Sequence, residues 1–290
     1  MLRAIRFRDA LVFEAPAIVG IAFSMPALTD DSLLRFLPFA FASFLLMAHI
    51  FVFNDWSDRI ADSLAGQPPA MADEPPLDAN HNLWLALGLA VAGVSLLGLL
   101  SVRLLLLSSL ILLFGVAYSF PMDRFKAKGI PLLSSALHFG GSVLTFLLGY
   151  ALFSEINARG LVVGGYFGLI ISAGHLVQEV QDFEADRAAN IATHAVALGP
   201  RKAFLLGFVL FTVSFAYLYL LAAAGVLPEV VGYFLVFYPV LCLLGLDPWR
   251  SGLEHNSVHR FRGQYRVLFG LMVVLLMVAV LAQSPGWLPG

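Results

Sequence analysis

Nine apolar stretches, each close to the length a helix needs to cross a bilayer, alternate along the chain with short polar segments. A crossing helix takes about 20 mostly apolar residues at about 1.5 Å each. On that measure the pattern predicts helices over residues 10–28, 33–53, 82–100, 104–120, 131–153, 161–181, 203–225, 228–246 and 267–283. Only residues 101–103 divide the third stretch from the fourth. Read as one, they would form a helix about twice as long as a bilayer is thick, so the pattern predicts a tight turn there. Residues 63–80 contain Pro68, Pro69, Pro75 and Pro76, which interrupt any helix and predict an irregular loop.

Composition agrees: 60% of the 290 residues are apolar and 12% are charged, against about 25% charged in soluble domains. The expected fold is therefore all-α, a polytopic membrane bundle forming one domain over residues 1–290. The basic start (Arg3, Arg6, Arg8) and the run after it read as a retained first helix, not a cleaved leader. Cys242, the single cysteine, lies in an apolar run and reads as a packing residue, which excludes a disulfide framework. A net charge of -2 carries no global basic field, so nucleic acid is not an expected partner.

The placement of the bases orients the chain. With the N-terminus inside, 14 of the 17 Lys and Arg fall in cytoplasmic segments, leaving only Arg35, Arg103 and Arg159 outside. The expectation is a multi-pass protein of the plasma (inner) membrane, with its C-terminus on the opposite side. The two loops that also carry acids, 54–81 and 182–202, then both face the cytoplasm.

Those acids form two clusters. After the apolar turns of the second helix come Asn54, Asp55, Asp58 and Asp62, spaced so that a continuing helix gathers their oxygens on one face. After the sixth come Asp182, Asp186 and Asn190 at i, i+4 and i+8, again predicting one stripe. Like charges at this spacing repel, and carboxylates set directly after apolar turns are costly unless they serve a function. Hard oxygen donors with open positions suit Mg²⁺, which is usually held by one or two carboxylates plus phosphate oxygens. At the end of the fourth helix, Tyr118, Pro121, Arg124, Phe125, Lys126 and Lys128 add cations suited to phosphate oxygens, Arg124 as a planar fork and Lys126 as a point charge. The same bases also read as positive-inside anchors.

The pattern Asn-Asp-x-x-Asp-x-x-x-Asp at 54–62 and Asp-x-x-x-Asp-x-x-x-Asn-x-x-Thr at 182–193, four helices apart, resembles the two signature motifs of the UbiA superfamily of intramembrane prenyltransferases. The segment from Tyr118 to Lys126 resembles that family's intervening element. The resemblance implies a helical bundle around a central cavity and Mg²⁺-dependent transfer of an isoprenyl group from its diphosphate to a lipophilic or aromatic acceptor within the membrane. It implies metal binding by Asp55, Asp58, Asp62, Asp182 and Asp186, with Asn54 assisting. It also implies contact with the diphosphate or the reacting carbon by Tyr118, Arg124 and Lys126. Arg59, Arg187 and Asn190 are expected among the diphosphate contacts. Two features depart from the family pattern: residues 66–78 are acidic and carry no base, and the second motif's Gly position holds Asn190.

His49 and His175 are candidates for acceptor binding. His175 precedes Asp182 by seven residues, on the same helix face two turns deeper, from which it would orient an acceptor hydroxyl or act as a base. A packed, hydrogen-bonded histidine is the alternative. Phe114, Tyr118, Phe139 and Phe146 are candidates to face a carbocation. Two rival functions keep part of this reading: a membrane terpene cyclase using the same diphosphate site, and a small-molecule or ion transporter, whose ionisable residues belong nearer the midplane.

Overall fold

The computed structural model describes residues 7–64, 79–120 and 127–283, and for residues 8, 59–64, 79 and 80 it describes the backbone alone. Eleven α-helices appear among them: α1 (Phe7–Ser24), α2 (Asp30–Leu64), α3 (Ala79–Leu100), α4 (Val102–Ser119), α5 (Pro131–Tyr150), α6 (Ala158–Gln181), α7 (Phe183–Ala188), α8 (His194–Leu198), α9 (Pro200–Ala223), α10 (Phe237–Arg250) and α11 (His255–Leu281). Eight of them, or of their continuations, are long and apolar enough to cross a membrane. The first of the nine expected spans, 10–28, corresponds to α1, which starts earlier and holds Arg8, Asp9 and Glu14 within 18 residues. The longer α2 carries its charges outside an apolar stretch of 18 residues, whereas the three in α1 fall within its whole length.

The tight turn expected between the third and fourth spans is a single residue. Ser101 takes an extended conformation (φ −168°, ψ 155°), and its hydroxyl accepts the Leu104 N–H at 3.2 Å, capping α4. The eighth span is mixed: a 3₁₀ segment, Glu229–Val236, runs into α10. The ninth begins twelve residues earlier than its apolar run, because the polar turns from His255 to Arg266 are already helical. An apolar window marks the membrane crossing; a helix obeys backbone hydrogen bonding and continues past it.

The described contacts group into two compact units, Met1–Leu137 with Leu144–Glu155, and His138–Val143 with Ile156–Gly290. In the first unit α2 packs against α3, α4 and α1. Gly20 of α1 lies so close to α5 that a Cβ would fall 2.2 Å from the Phe146 carbonyl oxygen, and one on Gly149 would fall 1.9 Å from that of Ala17. Lipid offers helices no hydrophobic reward for associating, so close backbone approach at small residues does that work. Phe146, one of the expected cation-facing rings, is fully buried here between Phe23 and Tyr150.

In the second unit α6 is the most enclosed of the spans and packs against α9, α11 and α8. Its neighbours supply a run of aromatic contacts, with Phe208, Phe211, Phe261, Tyr265 and Phe269 ring against ring between α9 and α11. Leu99 and Leu132, each 83% exposed, typify the apolar surface left for lipid.

Candidate active site

The helix that carries the first motif does continue. α2 runs unbroken to Leu64, so Asn54 and Asp58 lie one turn apart on one face. Asn54 Nδ2–H donates to Asp58 Oδ2 at 2.9 Å, and Asn54 Oδ1 accepts from the buried Ser119 hydroxyl of α4 at 2.9 Å. The two bonds fix which way the amide points and hold the carboxylate in place. Lys128, in the 3₁₀ turn Ala127–Gly129, brings its ammonium 3.8 Å from Asp58 Oδ2. The sequence offered Lys128 only as one base among several, whereas the fold sets it beside the motif. Asp55 is half-buried on the same turn. The side chains of Arg59 and Asp62, and all of Arg124 and Lys126, lie outside the described residues.

His49 is on α2 but points elsewhere. It is buried, stacks on Phe53 (ring centroids 5.6 Å apart), and its Nδ1–H donates to the Ala86 carbonyl of α3 at 2.8 Å. At 3.6 residues per turn, it lies about 140° around the helix from Asn54. Its place is the α2–α3 seam.

The second motif does not form one stripe. α6 stops at Gln181, Asp182 bends the chain (φ −91°, ψ 5°) while donating its N–H to Gln178, and the short α7 carries Asp186. Asp186 is buried, Asp182 half-buried and Arg187 exposed. Asn190 leaves the helix altogether at φ 53°. Around it the Ile191 N–H donates to the Asp186 carbonyl at 2.9 Å and the Asn190 N–H to that of Arg187 at 3.2 Å. That is a Schellman ending, whose left-handed residue is usually Gly and sometimes Asn. The departure from the family's Gly therefore has a backbone reason. Asn190→Gly is expected to keep full stability and turnover, and Asn190→Val to lose about 1–2 kcal/mol in thermal unfolding. A drop in donor affinity for the Gly variant would instead return the amide to the expected diphosphate contacts.

The side chain that the sequence left out is Glu179. Buried at 3% exposure, it accepts three groups: His175 Nε2–H at 3.0 Å, His194 Nδ1–H at 3.0 Å and the His194 backbone N–H at 2.8 Å. His138 lies flat on His175, centroids 3.7 Å apart and 11° from parallel. A carboxylate only accepts, so each imidazole carries a proton on the nitrogen facing it. Glu179 thus ties the end of α6 to the start of α8 and closes the segment that holds Asp186. His175 is part of this packed network. One sequence signal was available: Glu179 stands one turn after His175 and three residues before Asp182, all at helical spacing.

Among the described residues, no three His, Cys, Asp or Glu side chains converge as a ready metal cage. The donors present are hard oxygens, Asn54, Asp55 and Asp58 in one unit and Asp182 and Asp186 in the other; the one cysteine, Cys242, lies on α10. Each of these two groups of oxygens, by its chemistry, fits a magnesium ion that keeps part of its coordination for water and phosphate oxygens. It does not fit a closed structural site.

The sequence profile of the UbiA prenyltransferase family matches residues 15–252. A lycopene elongase/hydratase from Haloferax volcanii is 32% identical over 210 residues, covering 69% of this chain and 65% of that protein; the chain thus spans just under two thirds of that relative. A digeranylgeranylglyceryl phosphate synthase from Natronomonas pharaonis is 29% identical over 203 residues, covering 68% and 69%. Among solved structures, a UbiA homolog from Archaeoglobus fulgidus bound to DMAPP and Mg²⁺ superposes with TM-score 0.70 at 19% identity, over 98% of each chain. The apo structure of a homolog from Aeropyrum pernix gives 0.65 at 17% identity, over 93% of this chain and 98% of that one. At these identities the solved structures establish the fold.

Proposed function

We infer that this chain, which belongs to the UbiA prenyltransferase family, moves an isoprenyl group from its diphosphate to a lipophilic acceptor inside the membrane. The observation that carries the reading is Asp58, a carboxylate at the end of an apolar helix, held by Asn54 and faced by Lys128. An aspartate positioned this way is built to carry charge, not to pack.

The bond that breaks is the allylic C–O bond, and its electron pair leaves on the diphosphate. The acceptor's π electrons then form the new C–C bond, and the resulting cation loses a proton. Bound Mg²⁺ would supply positive charge to the leaving group; Asp55 and Asp58 of the first motif would hold one ion, and Asp182 and Asp186 of the second motif another. Asn54 and Ser119 orient Asp58, and Lys128 adds a cation on the same side. An apolar, water-poor setting would strengthen each of these interactions and keep water from the cation.

For the acceptor we assign a membrane-dissolved isoprenoid chain, following the elongase relative. A direct test incubates the purified protein with Mg²⁺, lycopene and labelled DMAPP or GPP, and identifies products by mass spectrometry. Prenylated lycopene is expected. A labelled product of the same size without any acceptor would favour the cyclase instead, and no diphosphate release from any donor would exclude both.

A further inference from the structure

The charge at the end of α6 does not balance in the way its neighbours do. Arg262, two turns into α11, turns its guanidinium fork onto two neutral oxygens: Nη1–H donates to Gln181 Oε1 at 2.7 Å and Nη2–H to Gln178 Oε1 at 3.1 Å. Its Nε–H is shielded from solvent and has no acceptor among the described residues. Other cations at this end are engaged differently, Arg260 with Asp247 at 3.0 Å and Arg201 over the Trp249 ring at 5.9 Å. A guanidinium half-buried in a crossing helix, with amide oxygens in place of a carboxylate, retains its whole charge, and each Nη has a second hydrogen beyond the one given to a glutamine. Desolvating such a group is costly without a counter-charge.

Its position indicates the counter-charge. Gln181 immediately precedes Asp182, and Gln178 stands one turn before it, its carbonyl accepting the Asp182 N–H at 3.0 Å. Among the described residues no carboxylate forms an ion pair with Arg262: Glu179 already accepts from two histidines, and Glu184 is exposed on α7. The loop at 63–80 carries no Lys or Arg at all.

We propose that Arg262 is a diphosphate-binding residue, reaching the donor's phosphate oxygens from α11 beside the second motif. This rests on the reading of that motif as a diphosphate site. It assigns a cation that lies beyond residues 15–252, outside the span the family profile matches. Guanidinium suits the task because its planar fork holds the glutamines on one edge and keeps donors for an oxyanion.

The test measures binding of inorganic pyrophosphate with Mg²⁺ to the purified full chain by calorimetry, which needs no turnover. Arg262→Gln is expected to raise Kd by about tenfold or more, as for loss of a hydrogen bond to a charged group, and Arg262→Lys, which keeps the charge, by about threefold. In the unaltered protein, saturating Mg²⁺-pyrophosphate should protect Arg262 from phenylglyoxal, read by peptide mass spectrometry, whether or not the variants fold. Two results would overturn the proposal: unchanged modification of Arg262, or a Kd for Arg262→Gln equal to that of the unaltered protein. Lys and Gln variants that are equally impaired would reduce Arg262 to a clamp on the two glutamines. If the unaltered protein binds no Mg²⁺-pyrophosphate, the diphosphate reading itself falls along with it.

Discussion

Asp58→Asn and Asp182→Asn will each lower kcat for prenyl transfer on the order of a thousandfold while leaving the protein folded, as removal of one preorganised charge-stabilising group does elsewhere. The substitution keeps the shape of the side chain and removes its charge. At Asp58 the consequence is local and legible: Asn54, itself held by Ser119, can still donate to an amide oxygen, but Lys128 loses the carboxylate charge at 3.8 Å. At Asp182 the bend between α6 and α7 rests on a backbone bond to Gln178, which the substitution leaves alone. Stability in thermal unfolding should therefore shift by less than about 1 kcal/mol at either site. Turnover within tenfold of the unaltered protein for both variants would remove the carboxylates from the chemistry, and with them the diphosphate site.

Glu179 will behave in the opposite way, with stability falling first. Glu179→Ala strands three buried donors, the two imidazole N–H groups and the His194 backbone N–H. With about 1–3 kcal/mol for each unsatisfied buried group, and partial relaxation, a loss of about 3 kcal/mol or more is expected. Glu179→Gln keeps one acceptor oxygen and lets one histidine change tautomer to accept from the new NH₂, so about 1–2 kcal/mol is expected. Both variants loosen the start of α8 and so the segment that carries Asp186. Chemical denaturation in detergent, followed alongside turnover, separates the outcomes. If Glu179→Ala unfolds at the same denaturant concentration as the unaltered chain, the network is not what holds this segment.

The two sites differ in how far the sequence disclosed them. Asp58 announced itself by chemistry that is expensive where it stands, one turn beyond the long, mostly apolar run that ends at Phe53. Glu179 was hidden because nothing in the spacing of carboxylates distinguishes an acid that faces a ligand from one that faces a histidine fifteen residues later. Lys128 and Arg262 were hidden for a related reason. Both are bases in segments where topology alone explains bases, and only packing reveals which of them meets Asp58 or Gln181.

What the sequence determined by itself is whatever depends on local periodicity and on the solvent: the crossing helices, the break at Ser101, the paired motifs and the family. These follow because an apolar run of bilayer length has few alternatives, each backbone group in lipid having to be bonded within its own helix. What only the tertiary structure decided is where that continuity ends and which side chains meet. α2 carries its motif intact to Leu64, whereas α6 breaks at Asp182 and sends Asn190 into a left-handed turn. The cause lies in contacts between residues far apart in the chain, Glu179 with His194 and Arg262 with Gln178 and Gln181. Such contacts have no period along the sequence, and their energies exceed the small preferences that separate a continued helix from a capped one.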